Sequence, residues 1–129
     1  MIEVRCFSRS GNTQAIAEAI AKAVGAEAKG VDEPLTQHTD ILFLGGALYA
    51  GGIAGKLKKF IKKLSPDEVG MVIPFSTTAD PNGAYAKIKK SLDKYGLPVS
   101  QKEFHCLGKD AKGQEAQERA ATFAREVIK

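Results

Sequence analysis

The stretch Ile2-Glu3-Val4-Arg5-Cys6-Phe7-Ser8-Arg9-Ser10-Gly11-Asn12-Thr13 decides how this chain is read. Ile2 to Phe7 has the pattern of a strand. Thr13 to Val24 then puts Ile16, Ile20 and Val24 on one helical stripe with alanines between them. The connection, Ser8 to Thr13, therefore lies between a strand end and a helix start. Helix N-termini expose unpaired N–H groups and carry a partial positive charge, which suits a phosphate. Gly11 lets the backbone approach an anion closely. Ser8, Ser10 and Thr13 offer hydroxyl donors and Asn12 an amide. A plain helix cap would use only one of Ser10 or Asn12, so the loop holds more donors than capping needs.

Outward from this unit, strands and amphipathic helices alternate. Gly25 stops the first helix, and Ala26 to Lys29 is a short second strand. Val31 to Thr39 contains Pro34 and is too short to read as a helix. Asp40 to Gly46 is the clearest strand, because Ile41-Leu42-Phe43-Leu44 is continuously apolar, as a central parallel strand covered on both faces must be. The glycine-rich stretch Gly45 to Gly55 leads to a helix over Lys56 to Leu64, with Leu57, Phe60, Ile61 and Leu64 at helical spacing. Val69 to Phe75 is a fourth strand, whose regular pairing should end near Pro74, since proline removes a ladder donor. A helix over Ala84 to Tyr95 turns Tyr85, Ile88, Leu92 and Tyr95 inward. A strand over Val99 to Leu107 follows, then a helix over Gly113 to Ile128 with Ala116, Ala120, Phe123 and Val127 inward. Strands joined by helices pair in parallel with right-handed crossovers. The expectation is one α/β domain over residues 1–129, a three-layer, doubly wound, five-stranded parallel sheet. Ligands of such sheets bind beyond the carboxyl ends of the strands, so the loops after strands one, three and four are the ones to inspect.

The bulk properties narrow the classes. A hydrophobic content of 43% argues against disorder, and no apolar run approaches the ~18 residues of a membrane span. The opening MIEVRCF has no basic region and no long apolar segment, so no secretion signal is expected and the cytoplasm is the expected compartment. Cys6 and Cys106 are then reduced thiols rather than a bridge. No metal site is expected, because adjacent strand residues such as His105 and Cys106 point to opposite faces; His38 has no close-spaced partner. The net charge of +4 permits an acidic partner without indicating nucleic acid. The lysines of the second and third helical segments, Lys56 to Lys63 and Lys87 to Lys94, are read as solvated outer faces. Gly55-Lys56 is followed by Leu57, so no Walker loop is present, and no G-x-G-x-x-G occurs.

Ser8, Ser10, Gly11 and Thr13 match in place the flavodoxin phosphate loop, (T/S)-x-(T/S)-G-x-T, with Asn12 as its usual fifth residue. The chain resembles the flavodoxin family over its whole length, through the strand–helix order and three loops. The resemblance implies a flavodoxin-like sheet of strand order 2-1-3-4-5 with flavin mononucleotide (FMN) at the switch point. It places the FMN phosphate against Ser8, Arg9, Ser10, Gly11, Asn12 and Thr13. It lays the second loop, Ala47, Leu48, Tyr49, Ala50, Gly51 and Gly52, along the isoalloxazine ring. Tyr49 would stack on the ring, and Gly51 would be the peptide that turns over on reduction. Ser76, Thr77, Thr78, Ala79 and Asp80 would cover the other edge, while Tyr85 is assigned to the core.

The implied function is low-potential electron transfer through bound FMN, with no catalytic residue required of the protein. The alternative is an FMN-dependent oxidoreductase acting on a quinone or a porphyrinogen, so whether the chain turns over a substrate stays open. A flavin-free module of the same fold is the remote alternative. Receiver domains carry acids after strand one and an Asp ending strand three, where this chain has Ser8 to Thr13 and Gly45 to Ala47. The expected partners are redox proteins with acidic docking surfaces, with neither nucleic acid nor membrane insertion. The second loop has no acid and the third only Asp80, which predicts a less negative potential for the second flavin electron than in acidic flavodoxins.

Overall fold

Leu42 and Leu44 turn to one face of a central strand and Phe43 to the other, all fully buried, and this alternation sets up two cores. The computed structural model describes residues 1–129. Its elements are β1 (Ile2–Cys6), α1 (Asn12–Val24), β2 (Ala28–Gly30), β3 (Thr39–Gly46), β4 (Leu48–Tyr49), β5 (Gly52–Ile53), α2 (Gly55–Lys62), β6 (Val69–Ser76), α3 (Tyr85–Lys94), β7 (Phe104–His105) and α4 (Gln114–Val127). Five strands form one sheet in the order β2-β1-β3-β6-β7, with every pair parallel. Since β6 and β7 are the fourth and fifth strands of that sheet, this is the 2-1-3-4-5 order of a flavodoxin-like α/β fold. In register, Val4 lies beside Phe43, and Phe43 beside Ile73.

Two helices cover each face. Ile16 and Ile20 of α1 and Ala116, Ala120 and Ala124 of α4 pack on Val4, Cys6, Phe43, Ile73 and Phe75. Leu57, Phe60 and Ile61 of α2 and Ile88 and Leu92 of α3 pack on Leu42, Leu44 and Val72. In α4 the alanines take the fully inward line, and Phe123 and Val127 stand at its margin, half-buried. Tyr85 is also half-buried, its hydroxyl donating to the Ser100 carbonyl at 2.7 Å.

Three features depart from the sequence expectation. First, β6 pairs with β3 through Pro74 and on to Ser76, so pairing does not end at the proline. The N–H of Val72 donates to Pro98 and its carbonyl accepts from Ser100, so this parity of β6 faces the fifth strand. Pro74 shares the parity, and its missing donor falls on that side, leaving the β3 ladder whole. Second, the expected fifth strand, Val99 to Leu107, is broken there. It survives as a bridge at Val99 opposite Val72 and as β7, with residues 101–103 between them unpaired. Third, β4 and β5 form a small antiparallel hairpin inside the glycine-rich stretch. Its tip, Ala50-Gly51, has φ of +53° and +82°, and positive φ at both central residues is what a tight two-residue hairpin turn needs.

No helix joins β2 to β3, as Pro34 implied. Arg5, 2% exposed, holds this connection instead. Its guanidinium donates to the carbonyls of Glu33 (2.8 Å) and Pro34 (3.4 Å) and to the Glu3 carboxylate (2.7 Å).

Candidate functional site

The carboxyl ends of β1, β3 and β6 open into a cleft of ≈ 550 Å³, within the size range of small-molecule sites. Its walls come from four segments: Ser10, Asn12 and Thr13; Ala47, Leu48 and Tyr49; Thr77, Thr78 and Ala79; and Leu107, Gly108 and Lys109.

The first wall is the start of α1. Gly11 caps the helix in the left-handed region, φ +88°, where a side chain is disfavoured. The Ser8 hydroxyl accepts from the Gly11 N–H at 3.1 Å and closes the turn. No side chain caps the helix, and the first helical N–H bonded within the chain is that of Ala15, to the Gly11 carbonyl. The N–H groups of Asn12, Thr13 and Gln14 have no acceptor in the chain, although Thr13 itself is only 2% exposed. Buried backbone donors are ordinarily paired, so this end of the cleft suits an anion. The Thr13 and Thr77 hydroxyls lie 2.7 Å apart and join the first and third walls. If Thr77 donates in that bond, the Thr13 proton is left for a ligand.

The second wall is the β4–β5 hairpin. Tyr49 meets Phe7 edge-on, with ring centroids 6.1 Å apart, and the Arg9 guanidinium lies 4.1 Å from the Tyr49 centroid. This cation–π contact ties the phosphate-type loop to the hairpin. Tyr49 therefore packs on the loop that follows β1, and it lines the cleft while Arg9 does not.

The third wall is fixed from behind. The buried Ser76 hydroxyl accepts from the Ala84 N–H, the Asp80 carboxylate accepts from the Asn82 N–H, and a His105 ring nitrogen lies 3.3 Å from the Thr78 carbonyl. Ser76, at the end of β6, and the turn residue Asp80 thus lie outside the cleft lining, like Ser8, Gly11, Ala50 and Gly51. Gly52 lines a different groove, between α2 and α3.

Leu107, Gly108 and Lys109 are cleft residues that the sequence reading did not select. A β-carbon on Gly108 would stand 2.9 Å from the Thr77 carbonyl and 3.2 Å from the Asn12 amide, so only glycine lets this loop close on the other two. The signal was available: the carboxyl end of a fifth parallel strand opens on the same edge as the other three. Lys109 is the one charged residue lining the cleft. The thiols take no part. Burial, helped by the Glu18 charge, pushes Cys6 up to about 12, and burial also raises Cys106.

A parallel sheet with helices on both faces and a cleft over its carboxyl ends defines a doubly wound α/β domain. A family model described as "Flavodoxin domain" matches residues 4–129, and the chain belongs to that family. Among solved structures it resembles a flavodoxin from the domain Archaea (18% identity, 99% of each chain, TM-score 0.74). It also resembles oxidised Flavodoxin 2 from Bacillus cereus (20% identity, 98% of this chain and 97% of that one, TM-score 0.69). A third similar structure is rubredoxin oxygen:oxidoreductase from Desulfovibrio gigas (13% identity, 96% of this chain, TM-score 0.73), of which the chain spans 34%. Among curated proteins nothing matches the chain. No helix is long and apolar enough to cross a membrane.

Proposed function

We propose that this chain binds FMN in the cleft and serves as an electron carrier. One observation supports this above the others: Asn12 and Thr13, whose N–H groups have no acceptor in the chain, line the same cleft as Tyr49, Thr78 and Ala79. That space has an anionic subsite continuous with one where an aromatic side chain can stack on a flat ring. Bound FMN would supply the redox chemistry; the chain supplies binding, orientation and electrostatics. The phosphate falls to the backbone N–H groups of Asn12 to Gln14 with the hydroxyls of Ser10 and Thr13. The ring falls to Leu48 and Tyr49 on one side and Thr77 to Ala79 on the other.

Fluorescence titration with FMN and with riboflavin tests this reading. Each charge-assisted hydrogen bond contributes roughly 1.5–3 kcal/mol, so FMN should bind at least tenfold more tightly. Equal affinities would remove the phosphate site. Gly11→Val should abolish FMN binding in a folded domain. A β-carbon there meets only the Lys112 side chain at 3.6 Å, an ordinary contact. The effect therefore comes from the +88° φ, which a β-branched residue cannot keep, and the N–H groups lose their aim.

Lys109 lines the cleft and no acid does. A unit charge at ~10 Å with an effective dielectric of ~20 contributes roughly 1.7 kcal/mol toward an anionic reduced flavin. The second-electron potential should therefore be less negative than in acidic flavodoxins, and Lys109→Gln should lower it in an anaerobic titration. The expected partner is a redox protein with an acidic docking surface. Steady turnover of a quinone or porphyrinogen would instead make the chain an FMN-dependent oxidoreductase.

A further inference from the structure

We infer that the groove between α2 and α3 is the docking surface for an acidic protein partner, a step that builds on the carrier reading. The groove is lined by Lys58, Lys87, Lys90 and Lys94 and bordered by Gly52 and Ile53. No acid lines it. This distinguishes it from the rest of the lysine cover. On the other side of α2, Lys56, Lys59 and Lys63 share a groove with Asp32 and Glu68, and on α3 Lys89 is paired with Asp93. The four groove lysines are exposed and have no salt-bridge partner. Like charges held together raise the local potential and attract a complementary surface.

The groove's position matters as much as its charge. Gly52 and Ile53 form β5, whose partner strand β4 supplies Leu48 and Tyr49 to the cleft. A partner seated in the groove is thereby placed one hairpin width from the cleft. The other polyanions fit less well. A membrane surface would need an apolar face beside the lysines, but Leu57, Phe60, Ile61, Ile88 and Leu92 are all buried against the sheet. Single-stranded nucleic acid would need open aromatic platforms, and the groove's one aromatic, Tyr95, is half-buried with the Lys94 ammonium 5.6 Å from its centroid.

The test is a titration of the isotope-labelled chain with a polyglutamate peptide, followed by backbone amide shifts at low ionic strength, with and without FMN. Shifts should cluster at Gly52, Lys58, Lys87, Lys90 and Lys94, and binding should weaken steeply with salt. K87E/K90E should weaken the peptide by about tenfold or more while leaving FMN affinity unchanged. K22E/R125E, on the opposite helical layer, should leave peptide binding as it was. Shifts spread over the whole lysine surface, equal weakening by both double variants, or loss of FMN affinity in K87E/K90E would overturn the assignment. So would tighter binding of phosphatidylserine vesicles or of oligothymidine at the same groove. Failure of the unmodified chain to bind FMN, with peptide binding intact, would overturn the carrier reading and leave the acidic-partner groove standing.

Discussion

On one face of the sheet, α1 and α4 bury Ala17, Ala21, Ala116, Ala120 and Ala124 beside Ile16 and Ile20. On the other, α2 and α3 bury Leu57, Phe60, Ile61, Ile88 and Leu92. Small residues let two helices approach each other as well as the sheet, so α1 is clamped between α4 and the strands. Large ones carry each helix down to the sheet separately and leave a groove between them. The outer surfaces differ in the same sense. Glu18, Lys22, Glu118, Arg119, Arg125 and Glu126 mix signs over α1 and α4, whereas α2 and α3 carry nine exposed or half-exposed lysines, Lys56, Lys58, Lys59, Lys62, Lys63, Lys87, Lys89, Lys90 and Lys94, against Asp93. The helix whose start forms one wall of the cleft is thus held on the tight, charge-balanced face. The surplus charge sits on the face that is free to meet a partner.

The largest expected effect lies at the edge of the second face. Arg5→Ala removes the buried cation that fastens the β2–β3 connection and leaves Glu3 and two carbonyls without their donor. Breaking a buried pair costs about 3 kcal/mol or more, to be read by urea unfolding. A loss under 1 kcal/mol would mean that the connection is held by its backbone alone.

Neighbouring glycines compare the two faces directly. A β-carbon on Gly45 would fall 2.1–2.6 Å from three ring atoms of Phe75, which is fully buried. On Gly46 it would fall 2.7 Å from one methyl of Leu57. An aromatic ring boxed in by α1 and the sheet cannot retreat, but a Leu methyl can rotate. Gly45→Ala should therefore cost up to about 3 kcal/mol and Gly46→Ala about 1. Equal losses in denaturant titrations would show that the two faces are packed alike.

Cys6 tests the intolerance of the first face for charge. Its thiol ionises at about 12 in the folded chain against an ordinary value of 9.0. Below pH 9 both states keep the proton and stability is unaffected. Above it the unfolded chain ionises first, so stability falls by roughly 1.4 kcal/mol per pH unit until the folded value is reached. Cys6→Ala should flatten that alkaline slope, measured against the same variant at pH 7. An unchanged slope would assign it to other groups.

The smallest effect is expected on the lysine surface. Lys58→Gln should change stability by less than about 0.5 kcal/mol. If it stabilises the domain by more than this, mutual repulsion in the groove is a larger structural cost than the surface placement implies.

The layers, the strand order and the placing of a cleft wall at Ser10 to Thr13 were legible because they rest on local pattern. The continuous apolar run Ile41 to Leu44 and the helical stripes of Ile16 and Ile20 carry their own periodicity. What escaped rests on contacts distant in sequence. Arg5 reads as an ordinary strand residue until residues 28 and 29 positions away supply its acceptors. The β4–β5 hairpin was hidden because its tip is Ala50-Gly51, not Asn-Gly, and alanine gives no hint of a positive φ. The effect of Pro74 depends on which neighbour its nitrogen faces, and local pattern does not carry that. Lys109 and Gly108 join the cleft only because the interrupted fifth strand still ends at the same level as the others.

That interruption has a consequence for the chain in crowded solution. A sheet grows by adding strands to an edge that offers a long, straight row of free backbone groups. Here one edge is β2, three residues long, and the other is β7, two residues long, separated from the Val99 bridge by Gln101-Lys102-Glu103. Neither gives an incoming strand a run to zip along, and the charged gap would have to be bent straight first. The break that shortens the fifth strand thus also guards the domain against edge-to-edge aggregation.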